Sequence, residues 1–254
     1  MDIQFGDLEE SEREVKLRPD QDGHCVVVPV YDPVDLDLPV FVALEVMQEM
    51  ESHAQDDTTV ELGGVILGGQ HEDGNGDPFV VVTESLRAEH YESTKGSFKF
   101  THETWQAFTR QREQFSKELQ MVGWYHTHPG WGVFLSGMDM FICDHFFNRP
   151  LDLALVIDPC RNDRGWFHWI PGAEQCIGRI GGFYLFDHKS RATELEEFAL
   201  HLETLNETEV HGLSEAVQDE LEPGWPETME IDGQAPGANQ ELDPPDEPEN
   251  GSQE

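Results

Sequence analysis

Basic residues are scarce in this chain. Only 15 Lys and Arg stand against 52 Asp and Glu in 254 residues, a formal net charge of -37. A surface so acidic repels phosphate backbones and anionic lipid, so neither a nucleic-acid partner nor a membrane partner is expected. Cysteine is sparse too. Cys25, Cys143, Cys160 and Cys176 form no C-x2-C pair and no disulfide framework, and read as reduced thiols. No run of 18 apolar residues is present, which excludes a membrane-spanning helix. The first 20 residues are charged and lack an apolar signal core, so a cytoplasmic location is expected. Internal repeats are absent.

What is present is unevenly distributed. Residues 191–254 hold 19 acidic residues and one basic residue, Arg191. From residue 222 onward, Pro, Gly, Asp and Glu dominate, and such a segment cannot bury enough apolar surface to offset its ordering entropy. It reads as a disordered, solubilising acidic tail, with a docking arm for a basic partner or adaptation to high salt as alternatives. Before it, Leu195, Phe198, Leu202 and Leu205 recur at helical spacing, and a second short helix could follow Gly212. The chain therefore divides into an N-terminal extension (1–36), a catalytic domain (37–190), a helical segment (191–221) and the tail (222–254). The first 20 residues are expected to be mobile, and 24–31 forms a strand that Pro29 confines to a sheet edge.

Strands and helices alternate irregularly through the middle. Pro39 opens a helix over 40–55 with Asp37 as N-cap and Phe41, Leu44 and Met47 on one face. Segments 60–70 and 78–86 pair across a Gly/Asn/Asp turn. Thr101 caps a helix carrying Trp105, Phe108, Phe115 and Leu119, more in keeping with core than with a binding platform. Residues 121–129 form a strand. Ser136 and Asp139 form a capping box for a helix that ends before Pro150. Three strands follow at 151–159, 165–170 and 180–186. This pattern is α+β, a central mixed β-sheet flanked by helices.

The chemistry concentrates in His126-Thr127-His128-Pro129. Residues two apart on a strand share a face, so both imidazoles can address one point. After a seven-residue return, Asp139 in the first turn of a helix can bring a carboxylate to the same place. Two His and one Asp make an N/N/O set of the kind catalytic zinc favours, with a fourth position left for water. Such water would titrate near 7 and needs a base. Glu61, on the strand that opens Glu61-Leu62-Gly63-Gly64, is the candidate, able to accept a proton and return it to a leaving amine. Ser136 can cap its helix and also donate its hydroxyl to a developing oxyanion. Trp131 and Phe134 in the intervening loop could line a groove for an extended substrate, and Trp124 could do so or pack in the core. The remaining histidines, His53 and His71 among them, show no ligand spacing and read as surface or edge residues.

Glu61-x-x-Gly64, His126-x-His128-Pro129 and Ser136-x-x-Asp139 together resemble the signature of the JAMM (MPN+) zinc metalloprotease family. Residues 123–139, GWYHTHPGWGVFLSGMD, carry most of the likeness, and 138–159 are similar to bacterial-type members. Thr127 stands where family members usually carry Ser. The resemblance covers about residues 38–190. It implies an MPN/JAB fold of the cytidine-deaminase-like kind and one Zn2+ per chain, held by His126, His128 and Asp139. It also implies a deubiquitinase-like isopeptidase cutting after the C-terminus of a ubiquitin-like or sulfur-carrier protein. That tail would lie as a strand against a sheet edge, and catalytic residues on a loop leave room for an activating protein partner. A non-catalytic MPN scaffold and a zinc hydrolase of small amides are the alternatives.

Overall fold

A computed structural model describes residues 13–34, 37–89, 91–94, 97–112, 114–115, 119–170 and 177–204. Leu205, the helix expected after Gly212, the tail and Cys176 lie outside these residues. Val, Ile and Leu runs build one large mixed sheet. Its strands are β1 (Glu14–Val15), β2 (Cys25–Tyr31), β3 (Val40–Ala43), β4 (Gly63–Glu72), β5 (Pro78–Arg87), β8 (Gln120–Thr127), β9 (Leu153–Asp158), β10 (Asp163–Trp169), β11 (Ile177–Arg179) and β12 (Gly182–His188). Their order is β11-β10-β9-β8-β4-β5-β3-β12-β2, with β1 joining parallel to β4. Between them in sequence, β6 (Tyr91–Thr94) and β7 (Ser97–Phe100) form a separate hairpin. The helices are α1 (Leu44–Ala54), α2 (His102–Arg112), α3 (Gly137–Phe146) and α4 (Ala192–Glu203).

The middle of the sheet is buried on both faces, which is why β9 reads LALVID without polar alternation. One face packs Val42, Ile66, Val82, Leu155 and Trp166 under Met47 and Met50 of α1 and Leu195 and Leu202 of α4. The other packs Val65, Leu67, Trp124, Ala154 and Val156 under Phe98, Phe108 of α2 and Ile142 of α3. The expected mixed α+β architecture is what forms. Among the described residues, no helix is long and apolar enough to cross a membrane.

Several local expectations are corrected. Val40–Ala43 is a strand, parallel to both β5 and β12, and the helix starts only at Leu44 behind Ala43. A β-branched and aromatic run buried on both sides forms sheet more readily than a first helical turn. Asp37 does not cap that helix, and its carboxylate instead accepts the Gly181 N–H at 2.7 Å. Residues 13–20 are placed rather than mobile: Glu14 and Val15 pair with His71 and Glu72, and Pro19 is buried. Helix α2 ends at Arg112, so Phe115 and Leu119 lie beyond it. Strand β2 sits at the sheet edge beside β12, with Pro29 exposed, as its proline required.

Candidate metal centre

Three strand neighbours bring the site together. Strand β8 runs antiparallel to β4, with His126 opposite Gly63, and parallel to β9, with Thr127 opposite Ile157. Glu61 lies two residues before β4 rather than on it, which places it level with His128 just past the end of β8. The close approach at Gly64 admits no side chain, since a Cβ there would lie 2.2 Å from the Leu86 carbonyl oxygen. Both chain segments are tied across the gap. Thr127 N–H donates to the Leu62 carbonyl at 2.8 Å, and Leu62 N–H donates to the Thr127 hydroxyl at 2.8 Å. Glu61 N–H donates to Thr94 of the hairpin at 3.1 Å, and the Ser93 hydroxyl donates to the Glu61 carbonyl at 2.5 Å.

The third ligand candidate comes from the start of α3. Ser136 Oγ accepts the Asp139 N–H at 3.3 Å, and Asp139 Oδ2 accepts the Ser136 N–H at 2.7 Å, closing the expected capping box. That same Oδ2 lies 3.3 Å from His126 Nε2 and 3.4 Å from His128 Nε2. The two Nε2 atoms are 3.0 Å apart. The cap therefore aims the carboxylate at the histidine pair, a link between helix start and site that spacing alone could only suggest.

This triangle suits a metal. Zinc with ligand bonds of about 2.0–2.1 Å in tetrahedral geometry separates its ligand atoms by roughly 3.3 Å. His128 Nδ1 donates to the Gly132 carbonyl at 3.2 Å, which leaves Nε2 as a lone pair facing inward. Three acceptor atoms then converge with at most one proton from His126 between them, and a divalent cation satisfies all three. His126, His128 and Asp139 are all buried, and they are the one His/Cys/Asp/Glu group of metal-holding geometry among the described residues.

Electrostatics agree with that chemistry. Burial, only partly opposed by Asp139, holds the His126 imidazole below its ordinary pKa and hence neutral. Burial alone would raise Asp139, but its close contacts with the two imidazoles outweigh it and hold the carboxyl below the ordinary carboxylate range. Glu61, 5% exposed, is pushed up to about 8 by burial and by the Asp139 charge. Its Oε1 stands 4.0 Å from His128 Nε2.

The aromatic residues divide. Trp124 is core: its indole stacks on His126 at 4.4 Å and 8°, and its N–H donates to Cys143 Sγ at 3.4 Å. Burial pushes the Cys143 thiol to about 12, so it is a packing atom rather than a nucleophile. Phe134 packs its ring 4.7 Å from that of His128. His53 and His71 are buried, against the expectation of surface placement. Sequence reasoning passed over Thr127 as a tie and Asp158 altogether. The latter's one visible signal was a lone acid ending an apolar strand.

Residues 38–148 match the family described as "JAB1/Mov34/MPN/PAD-1 ubiquitin protease". Among curated proteins, COP9 signalosome complex subunit 5 of Drosophila melanogaster is 30% identical over 132 residues, covering 51% of this chain and 37% of that protein. The subunit 5 of Oryza sativa subsp. japonica is 33% identical over 116 residues, covering 44% and 31%. That of Eremothecium gossypii is 32% identical over 149 residues, covering 55% and 34%. This chain thus spans about a third of the length of the relatives it matches. With the family match falling on the residues that build the histidine–aspartate triangle, the chain carries a domain of the JAB1/Mov34/MPN/PAD-1 family over residues 38–148.

Proposed function

We propose that this chain is a cytoplasmic zinc-dependent metallopeptidase that hydrolyses isopeptide or peptide bonds after the C-terminus of a ubiquitin-like or sulfur-carrier protein. The observation that carries the reading is the convergence of His126, His128 and Asp139 within hydrogen-bond distances, with Glu61 at 4.0 Å. The family's printed description, a ubiquitin protease, supports the substrate class. The relatives' names, subunits of a multi-protein complex, support a protein partner, and an activating one is part of the proposal.

In this reading His126, His128 and Asp139 hold one zinc ion. Zinc bound there supplies a Lewis acid and lets water attack near neutral pH. Glu61 Oε takes the proton of the attacking water and delivers it to the leaving amine, a role that its place 4.0 Å from His128 Nε2 permits. Ser136 Oγ already accepts from Asp139 N–H, and its own hydrogen stays free to donate to the oxygen that gains charge. Phe134 and Trp131 border the loop over which a tail would lie. We assign catalysis to 37–190, with 1–36, 191–221 and 222–254 as extensions.

The test pairs zinc analysis with cleavage. Protein purified without chelators should carry about one zinc per chain. It should release a reporter amide from the C-terminus of ubiquitin-like or sulfur-carrier proteins faster than it cleaves small amides. Glu61→Gln should lose about 10²–10⁴-fold in turnover while keeping its zinc. Full turnover in that variant, or a folded wild-type chain without zinc, would overturn the assignment.

A further inference from the structure

Asp158, the last residue of β9, is fully buried and sits beyond the strand pairing that carries His126 and Thr127. Its carboxylate accepts four backbone N–H groups: Gly130 at 2.9 Å, Cys160 at 3.0 Å and Arg161 at 3.2 Å on Oδ1, and Gly132 at 2.7 Å on Oδ2. The Arg161 Nε lies 3.5 Å from Oδ2. Two of these donors, Cys160 and Arg161, belong to the turn after β9, and a single side-chain oxygen serves such a turn. The second oxygen is spent 26 residues upstream, on the loop that follows His128.

That loop is in a conformation few sequences allow. Gly130 and Gly132 have φ of +80° and +90°, where a side chain is strained. A Cβ on Gly132 would also lie 2.9 Å from Arg161 Nη1. The consequence of this backbone path is that the Gly132 carbonyl points at His128 Nδ1, 3.2 Å away. His128 is anchored on the same strand end, its N–H donating to the Ile157 carbonyl at 2.8 Å.

We propose that Asp158 is a positioning residue of the metal centre. It grips Gly130 and Gly132, turns the Gly132 carbonyl onto His128 Nδ1–H, and so fixes the tautomer that leaves His128 Nε2 free to bind. This rests on the metal reading above and adds a residue that touches neither metal nor substrate. It explains why a carboxylate rather than an amide stands here. An Asn could serve the turn with its oxygen, but its NH2 would then face the Gly132 N–H, donor against donor. Partners of this kind orient a ligand histidine and raise its basicity.

Asp158→Asn tests it, beside Asp152→Asn as a control. Asp152 is an equally buried carboxylate at the foot of β9, bonded to Arg149 and Gln70 away from the loop. Two readouts are needed: zinc affinity by chelator competition, and the His128 tautomer by ¹⁵N NMR of the metal-free chain. Asp158→Asn should weaken zinc about 10–100-fold and convert a single Nδ1–H tautomer into a mixture. Asp152→Asn should lower the melting temperature and leave both readouts unchanged. Gly132→Ala, which disturbs the loop end of the Asp158 contact and keeps the carboxylate itself, should reproduce the tautomer mixture even if Asp158→Asn folds poorly. An Asp158→Asn chain, or a Gly132→Ala chain, that keeps the wild-type tautomer and zinc affinity would overturn the proposal. A wild-type chain without zinc would overturn the proposed function and the metal role of Asp158 with it, whereas a zinc-loaded wild type with an unchanged Asp158→Asn tautomer and affinity would overturn the Asp158 proposal alone.

Discussion

Tyr125 and His126 are neighbours on β8, yet they face opposite sides of the sheet and enter two different imidazole environments. Toward α1, His53 Nδ1 meets the Tyr125 hydroxyl at 2.8 Å. Burial, helped by the Arg87 charge, drops His53 to about 4, and burial raises Tyr125 above the ordinary phenol range. The pair is therefore uncharged, with one donor matched to one acceptor, and it requires nothing more. Toward α3, His126 is fully buried and also neutral, but it shares its space with His128 and Asp139. Burial makes a histidine a neutral base in both places. Only the convergence of a second imidazole and a carboxylate makes one of them a place for a cation.

That contrast can be broken most severely at Asp139. Asp139→Ala should reduce zinc from about one ion per chain to below about a tenth, by metal analysis, because it removes a ligand and the aim of the cap together. His53→Gln should leave zinc content unchanged, and a loss there would mean that the two environments are coupled through β8. A smaller effect is expected at Thr127. Thr127→Val leaves the buried Leu62 N–H without an acceptor and should cost roughly 1–3 kcal/mol in denaturant unfolding. Its turnover should fall with zinc retained, since the tie positions the Glu61 segment rather than the ligands, and Thr127→Ser should restore both. The last effect, confined to acid pH, is the pH dependence of His53. Its folded pKa of about 4 lies below the ordinary 6.5, so the unfolded chain takes up the proton first. Stability should thus decline by roughly 1–3 kcal/mol as pH falls from 6.5 toward 4, and thermal melts of His53→Gln should lack that decline.

Much of the candidate site was legible because its spacing carries it. His126 and His128 share a strand face, and Ser136 and Asp139 share a capping turn, so each pair is a local statement. Glu61 was legible as a carboxylate near a glycine-rich strand, though its place just before that strand required the register with β8. Thr127 and Asp158 were not legible in the same way. Their side chains act on backbone groups at Leu62 and Gly132, far away in sequence, and nothing local marks such a bond.

The fold divides similarly. Periodicity exposed α2, α3 and α4 and most strands of the sheet, because their patterns follow from which side is dry. It misread Val40–Ala43, where a strand buried on both faces runs into a helix without a breaking residue. Glu14–Val15 has no pattern of its own and is a strand only through pairing with His71 and Glu72. The sequence by itself determined the candidate donor set, the acidic balance and the mixed α+β class, since these depend on residue type and short spacing. Tertiary structure alone decided that β8 lies between β4 and β9 with their ends level. That arrangement is set by long-range hydrogen bonds and two-sided burial, and with the capped start of α3 it brings His126, His128 and Asp139 together.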